Sequence, residues 1–386
     1  MANNRIYYPI QQVAFRKPGS TVFRPAKGVQ SVAISTTFNL TQAFELGQLA
    51  IYENIEGIPA IEVTLNKVLD GYPPLYLLAT SSDKDGNNLT GPTLAKRSVA
   101  QTICQLGIWP ETDEYVAGSP KTYVEMSGLT VSSVSYTFPL DDNFTEDLTL
   151  AGNVKVWNTG TKDVCLTNPW GLAASTGFFT STPDAPIGSG GVQRRENLIF
   201  ATNLAGTANA DKSILPTDIL GVGTSGYKTD LAHISSITIS TDLAREDLFE
   251  LGTRRPYAKT VTFPVEVTCE IEVTSVSGDL VDAVDKCGGA LAFCSATPNN
   301  LTDQKIRIAT CEGLRIYLGG KNKLSSVNYG GGDAGGGNVA VTYSYSTFND
   351  FTVLHQRDNT TYGLNAVAST WWTNRTGYLG ALNVTG

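Results

Sequence analysis

The chain has 386 residues, 17% of them charged, a formal net charge of −8 and only two histidines, His233 and His355. An acidic balance argues against a general nucleic-acid binder, whose affinity comes mainly from Lys and Arg on phosphates, and two histidines leave little for His-based catalysis or a His-rich metal site. The length allows two or three domains, and no apolar run approaches the roughly 20 residues that span a bilayer. No secretory pattern is expected from the opening MANNRIYYPI.

A composition rich in Thr, Val, Tyr and Gly points to β-structure with many turns. In chain order, residues 1–27 read as an arm that must dock on something to become ordered. Val32, Ile34, Thr36 and Phe38 alternate with small or polar residues, the pattern of a half-buried strand. Leu40 to Leu46 is ambiguous and runs into Phe44-Glu45-Leu46-Gly47. Ile61, Val63 and Leu65 form the next alternating strand, with Pro59 at its start. Asp70 to Pro74 is a turn, and Leu75 to Ala79 opens a short helix. Lys96 to Ile108 reads as strand, Leu129 to Phe138 as a long strand, and Phe144 to Trp157 as another, broken near Gly152. Residues 161–230 form a long Gly-, Thr- and Ser-rich loop or linker. Beyond it, Ile237, Ile239 and Thr241 alternate again, Arg245 to Phe249 reads as a short helix closed by Gly252, and Val265 to Val273 lines one face of a strand. Residues 359–386 are a second arm.

The two halves repeat. SVAISTTFNLTQAFELG at 31–47 and SITISTDLAREDLFELG at 236–252 share eight of seventeen positions without a gap. Tyr52 then falls on Tyr257 and Pro59 on Pro264 and, after one slipped residue, Glu62-Val63-Thr64 falls on Glu266-Val267-Thr268. A second stretch places Val134, Tyr136, Phe144 and Thr145 on Val341, Tyr343, Phe351 and Thr352, with Cys104 on Cys311. Two copies of one unit, at 28–160 and 231–358, explain both stretches.

Chemical motifs are few. The glycine run at 330–337 leads into a strand pattern and lacks GxxxxGK[ST], so it is expected to be a loop. Asp83 to Asn88 superficially resembles a calcium loop, but its glycine comes early and no bidentate Glu closes it. No GxSxG elbow is present. Asp113-Glu114 and Asp141-Asp142 belong in solvated turns. The six cysteines form no CxxC pair and are expected as buried small hydrophobes. No enzyme activity, cofactor or metal is expected. Arg254-Arg255, directly after FELG, suits carboxylates across an interface, whereas Arg194-Arg195 fits a solvated pair equally well. Candidate interface residues are therefore Glu45, Tyr52, Glu250, Arg254, Arg255 and Tyr257, with Tyr7, Tyr8, Trp371 and Trp372 from the arms.

Gly28 to Val32, Phe44 to Asn54, Ile61 to Leu65, Val134 to Phe138 and the Asn143-Phe144-Thr145-Glu146-Asp147 stretch leading to Leu150, Gly152, Asn153 and Trp157 together resemble phage tail tube and related virion proteins. The resemblance covers roughly half the chain. It implies a mainly β protein of two tandem β-sandwich or half-barrel domains, each with a short flanking helix. It implies self-assembly into a ring, a trimer acting as a pseudo-hexamer or a hexamer, and stacking of rings into a virion tail tube with other tail proteins. DNA would pass through the lumen without specific binding, and the protein would be made in the host bacterial cytoplasm. A tail-tip, baseplate or head–tail connector ring shares the implied fold. A host-binding adhesin would instead present one pocket of aromatic and polar groups.

Overall fold

The computed structural model describes residues 6, 8–20, 22–47, 49–82, 93–109, 120–159, 190–201, 234–252, 256–274, 278–279, 281, 306–310, 312–330 and 338–355. The protein is mainly β. In chain order come β1 (Gln11–Arg16), β2 (Arg24–Pro25), β3 (Val29–Thr37), β4 (Leu40–Phe44), β5 (Ile51–Glu56) and β6 (Ala60–Val68). Two short helices follow, α1 (Leu75–Ala79) and α2 (Leu94–Arg97), then β7 (Thr102–Ile108), β8 (Thr122–Pro139), β9 (Thr145–Gly152), β10 (Val154–Thr159) and β11 (Leu198–Ala201). The second half holds β12 (Ile234–Asp242), β13 (Arg245–Leu248), β14 (Ala258–Val261), β15 (Glu266–Thr274), β16 (Arg307–Thr310), β17 (Leu314–Tyr317), β18 (Lys323–Gly330), β19 (Ala340–Phe348) and β20 (Thr352–His355).

The long strand β8 organises the molecule. Its first half pairs with β7 and β10, and β7 continues to β1 and β2. Its second half pairs with β9 on one side and β12 on the other. A single antiparallel run therefore reads β3-β6-β9-β8-β12-β15-β19-β18. Period-two alternation puts one side chain of each pair inward: Val63, Leu65, Tyr136, Leu148, Ile239, Cys269, Ile271 and Tyr343 are each fully buried in one continuous core. Helix α1 covers the first half of this face, with all five of its residues buried against β1, β8 and β9. β11, β16, β17 and β20 make a separate four-stranded sheet.

Several expectations are corrected. Within the expected N-terminal arm, residues 11–16 are docked as strand: β1 pairs along its whole length with β7, and Val13, Ala14 and Phe15 are buried. Lys96 and Arg97 belong to α2, and the strand begins only at Thr102. Arg245–Leu248 is a strand, not a helix. It pairs with β14 as β4 pairs with β5, and the hairpin ladder supplies its backbone donors and acceptors with partners. Tyr7, Arg254, Arg255, Trp371, Trp372, Asp83–Asn88, Asp113-Glu114, His233, most of the glycine run and most of the 161–230 linker lie outside the described residues; within that linker Leu198–Ala201 is a strand, β11, paired with β16, rather than loop.

The strand ladders also correct the internal alignment. β12 begins and ends 205 positions after β3, and both carry an irregularity at the same place, Val29/Ser31 and Ile234/Ser236. Val32 pairs with Leu65 and Ile237 with Ile271, so the counterpart of Val63 is Cys269 rather than Val267. A two-residue slip leaves an alternating pattern unchanged, and only the ladder fixes it. For the same reason the counterparts of Val134 and Tyr136 are Val327 and Tyr329, not Val341 and Tyr343. β8 pairs with β9 as β18 pairs with β19, and β8 and β18 share a bulge at Val131/Ser133 and Leu324/Ser326. The matching sequences are Ser132-Ser133-Val134-Ser135-Tyr136 and Ser325-Ser326-Val327-Asn328-Tyr329.

Candidate assembly seam

The two four-strand groups, β3-β6-β9-β8 and β12-β15-β19-β18, meet along β8 and β12. Their register runs from Ser133 opposite Asp242 to Pro139 opposite Ser236. Tyr136 faces Ile239 and Val134 faces Thr241 on the core side, while Ser135 faces Ser240 on the other. Past the last pair, the Leu243 N–H donates to the Ser132 carbonyl at 2.6 Å. Arg245 closes the end: its Nε and Nη2 donate to the Val131 carbonyl at 2.9 and 2.7 Å, and its Nη1 donates to the Ser98 carbonyl at the end of α2. Burial draws this guanidinium down to about 10, against the opposing influence of Tyr76.

Beneath the seam lies a buried polar cluster. Glu146 accepts from the Leu75 N–H at 2.6 Å, the Tyr76 N–H at 2.9 Å and the Tyr136 hydroxyl at 2.8 Å. These bonds tie the start of α1 to the sheet. Burial raises the Glu146 carboxyl, opposed by those donors and by Lys67. Lys67, itself buried, donates to Asp70 and to the Lys27 carbonyl, each at 2.6 Å. Asp70 is also raised, by burial, with Lys67 opposing.

The outer strands of the run, β3 and β18, each pair on one side only among the described residues. Superposing β12 on β3 and β8 on β18 sets Ile34 opposite Tyr329, Thr36 opposite Val327 and Ser35 opposite Asn328. The first two are the same residue pairs as Ile239/Tyr136 and Thr241/Val134 at the internal seam. Facing agrees as well: Val327 pairs with buried Tyr343, and Tyr329 pairs with buried Val341, so both lie on the core side.

The solvent side of the eight strands is Ser- and Thr-rich and acidic. It carries Glu62, Asp147, Asp242, Glu266, Glu270 and Glu272 against Lys323. The two hairpins, β4–β5 and β13–β14, project exposed apolar tips, with Leu46 and Leu251 both fully exposed beside the positive-φ glycines Gly47 and Gly252. Of the expected interface residues, Glu45, Tyr52, Glu250 and Tyr257 lie exposed on these hairpins, and Tyr8 is exposed near β1. None of these five residues lies on β3 or β18. The edge residues and Arg245 were missed because an edge strand and a central strand share one alternation. The available signal was Arg245 standing where the matching stretch at 31–47 has Leu40.

Among the described residues, no group of three or more His, Cys, Asp and Glu could hold a metal, and no helix is long and apolar enough to cross a membrane. Cys104 and Cys269 are free and buried.

No family model and no curated protein matches the chain. Among solved structures it is similar to the anti-feeding prophage tube-terminating cap (12% identity, 42% of this chain and 95% of that one, TM-score 0.29). It is also similar to a chain of the sixfold-symmetrised anti-feeding prophage baseplate (13%, 41% and 98%, TM-score 0.31). A chain of the extended sheath–tube complex of an extracellular contractile injection system, PVC, gives 12% identity, 41% and 94% coverage, and a TM-score of 0.29.

Proposed function

We propose that this chain is a structural virion protein of a phage tail, built from two copies of one four-strand unit, that closes into rings and stacks them into a tail tube. The observation that carries this reading is the match between the internal seam and the two open edges. Long one-sided strands are a hazard to a lone chain, and a head-to-tail contact that closes on itself removes both edges. With two units per chain, the family resemblance makes the ring a trimer acting as a pseudo-hexamer. The acidic side of the sheet then lines the lumen, where charge of like sign repels phosphate and lets DNA slide. The hairpin tips are left to contact the neighbouring ring.

The test is a double variant, Ser35→Cys with Asn328→Cys, in the full chain. Oxidation is expected to link chains covalently into one closed species of three, and negative-stain microscopy to show rings. Neither single variant should link. A protein that stays a single chain at all concentrations would overturn the reading, and a closed species of six chains would overturn the trimer.

A further inference from the structure

The internal seam and the open edge share their strand pairs but end differently. At the internal seam Leu243 is 1% exposed and Arg245 reaches the Val131 and Ser98 carbonyls. At the open edge the corresponding residues are Phe38, 71% exposed, and Leu40, 58% exposed. The internal seam shows what covers such a position: Leu243 lies against the bulge at Val131/Ser133 and donates its N–H to Ser132. β18 carries the same bulge at Leu324/Ser326 and, among the described residues, has no strand paired beside it on that side.

We propose that Phe38 and Leu40 form an apolar plug that seats on the β18 bulge of a second copy of this chain, and that Arg245 in the corresponding place makes the internal seam the permanent one. This rests on the ring reading and adds the surface that closes the ring and the residue that distinguishes its two kinds of seam. The division follows from what each seam must overcome. Two segments of one chain meet at high effective concentration, so their joint needs direction more than affinity. A planar guanidinium on fixed carbonyls supplies direction. Two separate chains lose translational and rotational freedom on meeting. Apolar side chains leaving water offset that loss, whereas an arginine there would have to shed its hydration at every closure. Exchange is also disfavoured. β3 laid on β8 would leave the Val131 and Ser98 carbonyls against Leu40 without a donor.

The full chain with Phe38→Glu, Phe38→Leu or Arg245→Leu separates these roles. Closure is read by native mass spectrometry over a concentration series, and unfolding of the dilute single chain by heat. Phe38→Glu is expected to weaken closure on the order of 100-fold while the single chain unfolds as the parent does. Phe38→Leu, which supplies the residue the internal seam uses, closes like the parent. Arg245→Leu lowers the unfolding temperature of the single chain. Closure of Phe38→Glu at the parent's concentration would overturn the plug, and unchanged unfolding of Arg245→Leu would overturn the latch. The parent is the control for the ring reading: if it does not close, that reading fails by itself.

Discussion

Replacing Glu146 should unseat α1 from the sheet. The carboxylate is fully buried and accepts two backbone N–H groups and the Tyr136 hydroxyl. Glu146→Gln keeps one acceptor oxygen but turns the other into an amide that faces a backbone N–H, donor to donor. One buried donor then has no partner and the remaining bonds lose their charge assistance, a cost of about 2–3 kcal/mol. Glu146→Leu leaves all three donors without an acceptor and should cost about 3–5 kcal/mol. Urea unfolding of the dilute chain measures both, as a shift in midpoint at constant slope. The pH dependence has a definite sign. Burial raises the native carboxyl above its ordinary 4.5, so within the window between the two values the native state binds more protons than the unfolded chain. Stability is therefore greatest below the ordinary value and declines as pH rises through the native one. Asp70, also raised, adds a decline of the same sign. Glu146→Gln should remove its share of that slope. Both variants unfolding within 0.5 kcal/mol of the parent would refute the role given to this carboxylate.

Gly28→Ala should destabilise the chain by roughly 1–3 kcal/mol, because its φ is +76° and a Cβ would lie 2.6 Å from Asp70 Oδ2 and 2.9 Å from Lys67 Nζ; thermal unfolding measures it. Leu46→Ser with Leu251→Ser should leave single-chain unfolding within about 0.5 kcal/mol and let rings form but not stack, as seen by microscopy; long tubes of the double variant would count against the hairpin tips as contacts. Cys104 and Cys269, whose thiols burial pushes up to about 12, should resist iodoacetamide in the native chain and react only after unfolding, as peptide mapping reads.

Much of this architecture is legible in the residues. The alternation at 32–37, 61–65 and 129–138 marks strands that the structure contains, with Phe38 falling past the end of β3 and exposed, and Leu75 to Ala79 is the short helix its sequence implies. The match between residues 31–47 and 236–252 finds β3 and β12 in the same register to the residue. Misreadings fall where a pattern has more than one solution. Arg245–Leu248 has helix-forming residues but a hairpin partner. Val134 and Tyr136 match two strands equally well until β19 is seen beside β15.

Composition and period thus determined that this chain is β-rich and acidic, and that residues 31–47 and 236–252 match each other. They are properties of single segments, set by which side chains tolerate burial on a pleated face. Which strand lies beside which is a property of pairs far apart in sequence, since every antiparallel neighbour offers the same backbone donors and acceptors. Only the tertiary structure decided that β8 meets β12, that β3 and β18 pair on one side only among the described residues, and that Arg245 rather than Leu40 closes the internal seam.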